Sequence, residues 1–300
     1  MKIVNRIIIY ILICVLSLEI GLKIGFYIKY HNQEAQPPGL YVSDDVLGYK
    51  LQQNFKGMHT QKDFSTNITI RKEGFRDNLP EKIDILVIGD SFTYGWGVNE
   101  SKRFSNKLKT DRNIFDAGVP GYGTCEYEKI LNEFSSKLID NSVVLIGVSS
   151  NDVLDNSRQC LSRTVYNGKL YEVPYRNGIP KNIHLFLSRY IRLYYVGMNY
   201  IYILTHSDND MWNLNEINLI KILNKSREKN AKLIFVLIYK KDGIEIMQKY
   251  KNFCNQNNMT CSDTYEILKE KDDYFEHDGH WTSKGHQKVS DLINKKMGTG

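Results

Sequence analysis

Four short apolar runs constrain the fold of this chain more than any other feature: IDILVIG at 83–89, NIFDAG at 113–118, VVLIGV at 143–148 and KLIFVLIY at 232–239. Each has the length of one strand. A strand with one face in water alternates apolar and polar residues, whereas one buried on both faces reads as a continuous apolar run. Between and after these runs lie stretches with helical spacing, near 101–110, 124–139, 214–229, 243–257 and 283–296. Strands alternating with helices predict an α/β fold, a three-layer α/β/α sandwich with a mostly parallel sheet. Such open sheets take their ligands at the carboxyl ends of the strands.

The N-terminus follows a different pattern. Residues 7–18 read IIIYILICVLSL without a charge, and after Glu19 and Lys23 the apolar character resumes to Ile28. Taken as one helix, Ile7–Ile28 has about the 20 residues a bilayer core requires. Glu19 and Lys23 stand four apart and can pair on one face. No small-x-small cleavage site follows, and Leu12-Ile13 before Cys14 is a poor lipoprotein signal, so the segment reads as an uncleaved transmembrane anchor rather than a cleaved signal. Lys2 and Arg6 before the span place the N-terminus in the cytoplasm and the bulk of the chain outside it. The mean hydropathy of −0.41 averages this start with a polar remainder and hides it.

The expected organisation is therefore an anchor at 1–31, a Pro-Gly linker at 32–45, a lead-in with short strands at 46–82, and an α/β domain at 83–297. A Tyr-rich insertion interrupts that domain at 153–212, where Leu185–Leu204 reads as one apolar helix packed on the domain or lying along a surface. A second membrane span there is made costly by Arg189, Arg192 and Asn199. The tyrosines could offer aromatic faces to a glycan, though core packing is the ordinary role of any one of them.

Hydrophobic residues at 42% and charged residues at 25% exclude a disordered chain. A net charge of +6 without a Lys/Arg-only run of five or more argues against a nucleic-acid partner. Five cysteines without a Cys-x-x-Cys pair exclude a disulfide scaffold and a zinc site, and Cys125, Cys160, Cys254 and Cys261 are expected mostly as free buried thiols.

Two segments carry reactive side chains. Gly89-Asp90-Ser91 follows the first buried strand, which sets a serine at the sheet's carboxyl edge. Serine needs a base to take its proton. Near the C-terminus stands His277-Asp278-Gly279-His280, where Asp278 is close enough to orient the His280 ring as a general base. Three histidines within ten residues raise the question of a metal, but no His-x-x-x-His spacing accompanies them, so no metal or other cofactor is expected. His286 reads as structural and His277 as either. Two more strand ends, Gly121 in AGVPGYG and Asn151 in SSND, offer an amide and a side chain that can face one developing negative charge.

Ser91, Gly121, Asn151 and His280, in that order at successive strand ends, resemble the SGNH/GDSL hydrolase family over residues 83–293. VLGYK at 46–50 and EGFRD at 73–77 are similar to the lead-in of membrane-anchored members. The resemblance implies a flavodoxin-like sheet, Ser91 as nucleophile, an oxyanion hole of the Ser91 and Gly121 amides with the Asn151 side chain, His280 as base and Asp278 as its orienting acid. The chain departs from the family at Ser149, where a glycine is usual, and in having His277 where Asp-x-x-His would put the acid. Asp278-x-His280 matches related polysaccharide O-acetyltransferases, with Asp273 or Glu276 as alternative acids. The implied activity is an esterase acting on O-acyl, chiefly O-acetyl, groups of an extracytoplasmic glycan. An O-acetyltransferase using the same site and a catalytically silent glycan-binding protein are the alternatives.

Overall fold

The computed structural model describes residues 2–31, 36–156, 160, 163–166, 168–174, 178–239 and 243–298. A long helix α1 (Lys2–His31) precedes two antiparallel strand pairs, β1 (Tyr41–Asp44) with β2 (Gly48–Leu51) and β3 (Lys56–Thr60) with β4 (Ser65–Thr69). The domain then runs β5 (Ile83–Ile88), α2 (Ser91–Tyr94), β6 (Ile114–Asp116), α3 (Thr124–Phe134), β7 (Leu138–Ser149) and α4 (Ser150–Asn156). A hairpin of β8 (Arg163–Tyr166) and β9 (Lys169–Glu172) leads to α5 (Lys181–Tyr190), α6 (Arg192–Thr205) and α7 (Asp208–Glu228). The chain closes with β10 (Lys232–Ile238), α8 (Ile244–Gln256), β11 (Thr260–Asp263) and α9 (Ser283–Met297).

Five strands form one parallel sheet in the order β11-β10-β7-β5-β6. Numbered by their own succession this is the flavodoxin-like order, with its switch point between β5 and β7. Side chains alternate between two cores. Leu86, Ile146 and Phe235 face the side covered by α3, α7 and α8, while Val87, Leu145 and Val236 face the side covered by α9 and the segment around Phe104. Both faces are dry, which is why the strands read as continuous apolar runs.

Several local expectations are corrected. The stretch 101–110 forms only single 3-10 turns, because Arg103 adopts an extended backbone and turns its buried side chain inward to Asp77 and Asp116. Strand β11 was not foreseen, since TCSD lacks an apolar run. Residues 41–44, inside the stretch expected as linker, pair with β2 because Leu40 and Tyr41 are buried. The apolar stretch 185–204 is two helices, broken at Ile191, whose backbone is extended. The expected free thiols are instead two disulfides, Cys125–Cys160 and Cys254–Cys261. Folding brings their Cα atoms to 5.4 and 6.2 Å, within bridging range, a proximity that spacing along the chain does not reveal. The segment Ile3–Ile28 of α1 is long and apolar enough to cross a membrane.

Candidate active site

Strand β5 delivers Ser91 to the sheet's carboxyl edge. A side chain at Gly89 would fall 2.1 Å from Thr93 Oγ1, so only glycine lets the backbone pass that close to α2. Asp90 caps the short helix α2 by accepting the Phe92 N–H at 2.9 Å. The far end of α2 is held by Arg76 from the lead-in, which is buried and donates to the carbonyls of Tyr94, Gly95 and Val98 at 3.0, 3.0 and 3.1 Å. Those carbonyls have no intrahelical donor, so the guanidinium satisfies them.

His280 lies on a tight loop between Tyr274 and Trp281, which form an isolated antiparallel bridge. Its Nε2 is 2.7 Å from Ser91 Oγ, and its Nδ1 is 2.5 Å from Asp278 Oδ1. The same carboxylate oxygen accepts the His280 backbone N–H at 3.1 Å, and Oδ2 accepts the Trp96 indole N–H at 3.1 Å. Burial alone would raise the Asp278 carboxyl, but these donors, the His280 ring first, hold it below the usual carboxylate range. An ionised Asp278 accepts only, so Nδ1 carries the proton and Nε2 is left to accept from Ser91. The ring is fixed between Phe92 and Trp96, with centroids 4.6 and 5.7 Å away. Ser91, His280 and Asp278 thus form one continuous hydrogen-bonded line across 189 residues of chain.

The alternative acids are engaged or turned away. Asp273 accepts from Lys288 and from the Glu270 N–H, at 2.9 and 3.0 Å, and Glu276 is exposed. His286 is buried and accepts the Phe104 N–H on Nδ1 at 3.2 Å, a structural role; burial pushes its pKa down to about 3. His277 pairs with Asp63 at 2.6 Å on the site's rim. Glu270, Asp272 and Asp273 form an acidic cluster, but Lys284 and Lys288 bond its carboxylates.

The candidate oxyanion donors follow β6 and β7, Gly121 on the first connecting loop and Asn151 in the first turn of α4. The first loop is tied to β5 where Val119 N donates to Gly89 O at 3.0 Å, and Tyr49 of the lead-in donates its hydroxyl to Pro120 O at 2.6 Å. Gly121 has φ of +81°, a conformation that favours glycine, and a Cβ there would lie 2.6 Å from Arg163 Nη1 and push that guanidinium aside. In the first turn of α4, Asn151 donates from Nδ2 to Asp155 Oδ2 at 3.1 Å and accepts the Ser149 hydroxyl at 2.8 Å, which fixes the plane of the amide. An amide nitrogen carries two N–H groups, so the bond to Asp155 orients the side chain.

Ser149, the departure from glycine, fills the space between buried carboxylates. Its hydroxyl lies 3.1 Å from both Asp90 Oδ2 and Asp152 Oδ1. One hydroxyl hydrogen cannot serve every neighbouring oxygen. Burial, and then the charge of Asp90, push the Asp152 carboxyl well above the usual range, so it keeps its proton to higher pH than an exposed carboxyl does.

Four supporting residues escaped sequence reasoning. Asp63, on the turn between β3 and β4, accepts the N–H groups of His277 and Asp278 at 2.7 and 3.0 Å. Trp96 orients Asp278. Arg163 donates to the Gly121 carbonyl and pairs with Asp155 at 3.2 Å, so Arg163 and Asp155 together reach both the Gly121 loop and Asn151. All lie outside the four motifs. The one signal was EGFRD at 73–77, whose Arg76 and Asp77 buttress the Ser91 helix and Arg103.

No family model matches the chain, and no curated protein matches it. Among solved structures it is similar to a member of the lipolytic protein G-D-S-L family from Veillonella parvula DSM 2008, at 15% identity and a TM-score of 0.43 over 71% of this chain and 97% of that one. It is also similar to a carbohydrate esterase whose active site is described as displaying divergent catalytic and non-catalytic binding functions, at 15% identity and a TM-score of 0.45 over 75% of this chain and 67% of that one. Likenesses this remote carry no inference about chemistry, and what the site can do follows from its own geometry.

Proposed function

We propose that this chain is a membrane-anchored serine esterase of the SGNH type, removing O-acyl groups, O-acetyl foremost, from a glycan outside the cytoplasm. The observation that carries the reaction class is the line Asp278–His280–Ser91, complete in proton direction and geometry. Ser91 Oγ attacks the ester carbonyl carbon as His280 Nε2 takes its proton. The C–O bond of the leaving alcohol breaks when His280 returns that proton to the alcohol. Water, deprotonated by the same ring, then releases the acid from the acyl-serine. Asp278 stabilises the imidazolium that forms in each half. Negative charge on the carbonyl oxygen is met by the Ser91 and Gly121 amides and the Asn151 side chain, each such donor being worth about 10²–10³ in turnover.

The anchor rests on the length and apolarity of α1, and the glycan on the motif resemblance. The Asp-x-His spacing of the acid favours a second reading, in which a sugar hydroxyl replaces water as acceptor. The test is Ser91→Ala in the full-length chain, assayed on a short p-nitrophenyl ester. Hydrolysis should fall by at least about 10³-fold, and retained hydrolysis would overturn the assignment. With an acetylated glycan donor and a second glycan present, free acetate as sole product supports the hydrolase, and acetyl on the second glycan supports the transferase.

A further inference from the structure

The insertion helices carry apolar side chains on their outer faces. Ile183, Phe186 and Tyr190 of α5 are 54%, 58% and 45% exposed, and Tyr200 and Leu204 of α6 are 61% and 67% exposed. The spacings 183–186–190 and 200–204 set each group on one helical face. In a water-soluble domain such a face is turned to a core, and its exposure marks an interaction surface.

What covers that surface follows from where the helices are attached. The N–H groups of Arg192 and Leu193, at the start of α6, donate to the carboxylate of Glu19 on α1 at 2.8 and 2.7 Å. Lys23 pairs with the same carboxylate at 3.3 Å. The Arg192 guanidinium lies 5.0 Å over the Phe26 ring, and Tyr195 meets that ring edge-on at 5.8 Å. The first amides of a helix have no acceptor within it, and a carboxylate among acyl chains has no water. Each satisfies the other, which also explains the break at Ile191.

The depth of this joint can be bounded. The apolar segment of α1 covers 26 residues, Ile3–Ile28. At about 1.5 Å per residue it is about 39 Å long, against a hydrocarbon core of about 30 Å. Glu19 lies about 13 Å along the axis from Ile28. If all the surplus length, about 9 Å, protruded on the side of the globular domain, Glu19 would still be about 4 Å inside the hydrocarbon.

Resting on the reading of α1 as a membrane anchor, we infer that α5 and α6 are themselves immersed in the leaflet nearest the globular domain, with its acyl chains covering their apolar face. The tyrosines then stand where membrane proteins concentrate them, at the interface. A single helix followed by a linker lets a domain swivel; two attachments fix how the site faces the bilayer.

The test uses the full-length chain with Cys14→Ser, which removes the one free cysteine and leaves both disulfides. Single cysteines at Leu12, Tyr200, Leu204 and the exposed Lys72 are labelled with an environment-sensitive fluorophore, in vesicles containing spin-labelled phospholipid. Labels at 12, 200 and 204 should be quenched several-fold more than the label at 72. Quenching at 12 with the labels at 200 and 204 behaving like that at 72 would overturn the inference and keep the anchor. No quenching at 12 would overturn the anchor, and the inference with it.

Discussion

Arg163 donates to the carbonyl of Gly121 from one guanidinium nitrogen and pairs with Asp155 through another. Asp155 in turn accepts the Asn151 amide. One half-buried side chain from the insertion therefore ties the Gly121 loop to α4, both of which the proposed reaction needs. Lysine cannot reproduce the fork. Arg163→Lys should lower kcat by about 10-fold and Arg163→Ala by about 10², with KM within about 2-fold, because a displaced donor matters most in the transition state. Steady-state kinetics on a short ester checks this, with thermal unfolding run on each variant. An unchanged kcat in both would show that Arg163 only fastens the insertion.

The orienting acid makes a second prediction. Asp278→Asn keeps the shape but no longer holds the His280 proton on Nδ1, so kcat should fall by about 10²–10⁴. Glu276→Gln, a change on the exposed side of the same loop, should stay within about 2-fold. If Glu276→Gln were the damaging substitution, the acid would have to be reassigned.

The sheet and the residues of the Ser91–His280–Asp278 line were legible because their signals are local. IDILVIG and VVLIGV declare strands buried on both faces, Ser91 follows from its place beside a strand end, and His280 from the carboxylate of Asp278 two residues before it. The buttresses were not legible, because each acts across the fold. Asp63 reaches His277 over 214 positions and Tyr49 reaches Pro120 over 71, and nothing in GYK or KDF announces either contact. Polar β11 and the break at Ile191 escaped for a related reason. Parallel pairing with β10 specifies the first, and the Glu19 carboxylate the second.

The disulfides give a third prediction. Cys125–Cys160 closes a separation of 35 residues and Cys254–Cys261 one of 7. On the chain-entropy account the first should contribute about 4 kcal/mol and the second about 2. Denaturant unfolding of the paired serine variants should keep that order. Cys160 stands three positions before Arg163, so losing the first bridge should also lower kcat, whereas losing the second should not. The reverse order of stabilities would mean that native packing, and not loop closure, decides their worth.

The last prediction concerns pH and a residue that does not touch the substrate. Glu126, buried in the first turn of α3, accepts the Gly123 N–H at 3.0 Å. Burial pushes its pKa up to about 7 despite that bond, with the Asp155 charge adding to the rise and Arg163 opposing it. In the unfolded chain the same carboxyl titrates near 4.5. Between these values the folded state holds the proton more often than the unfolded one, so stability falls as pH rises through the window, the reverse of the usual carboxylate behaviour. The contribution lost between pH 4.5 and pH 7 is about 3 kcal/mol. Glu126→Gln keeps an acceptor for Gly123 and cannot ionise, so its stability should lack this fall. Urea unfolding at pH 4.5 and at pH 7.5 reads the difference between the two proteins, in which every other titrating group cancels. Parallel losses in both would mean that the Glu126 carboxyl titrates alike in the folded and the unfolded chain.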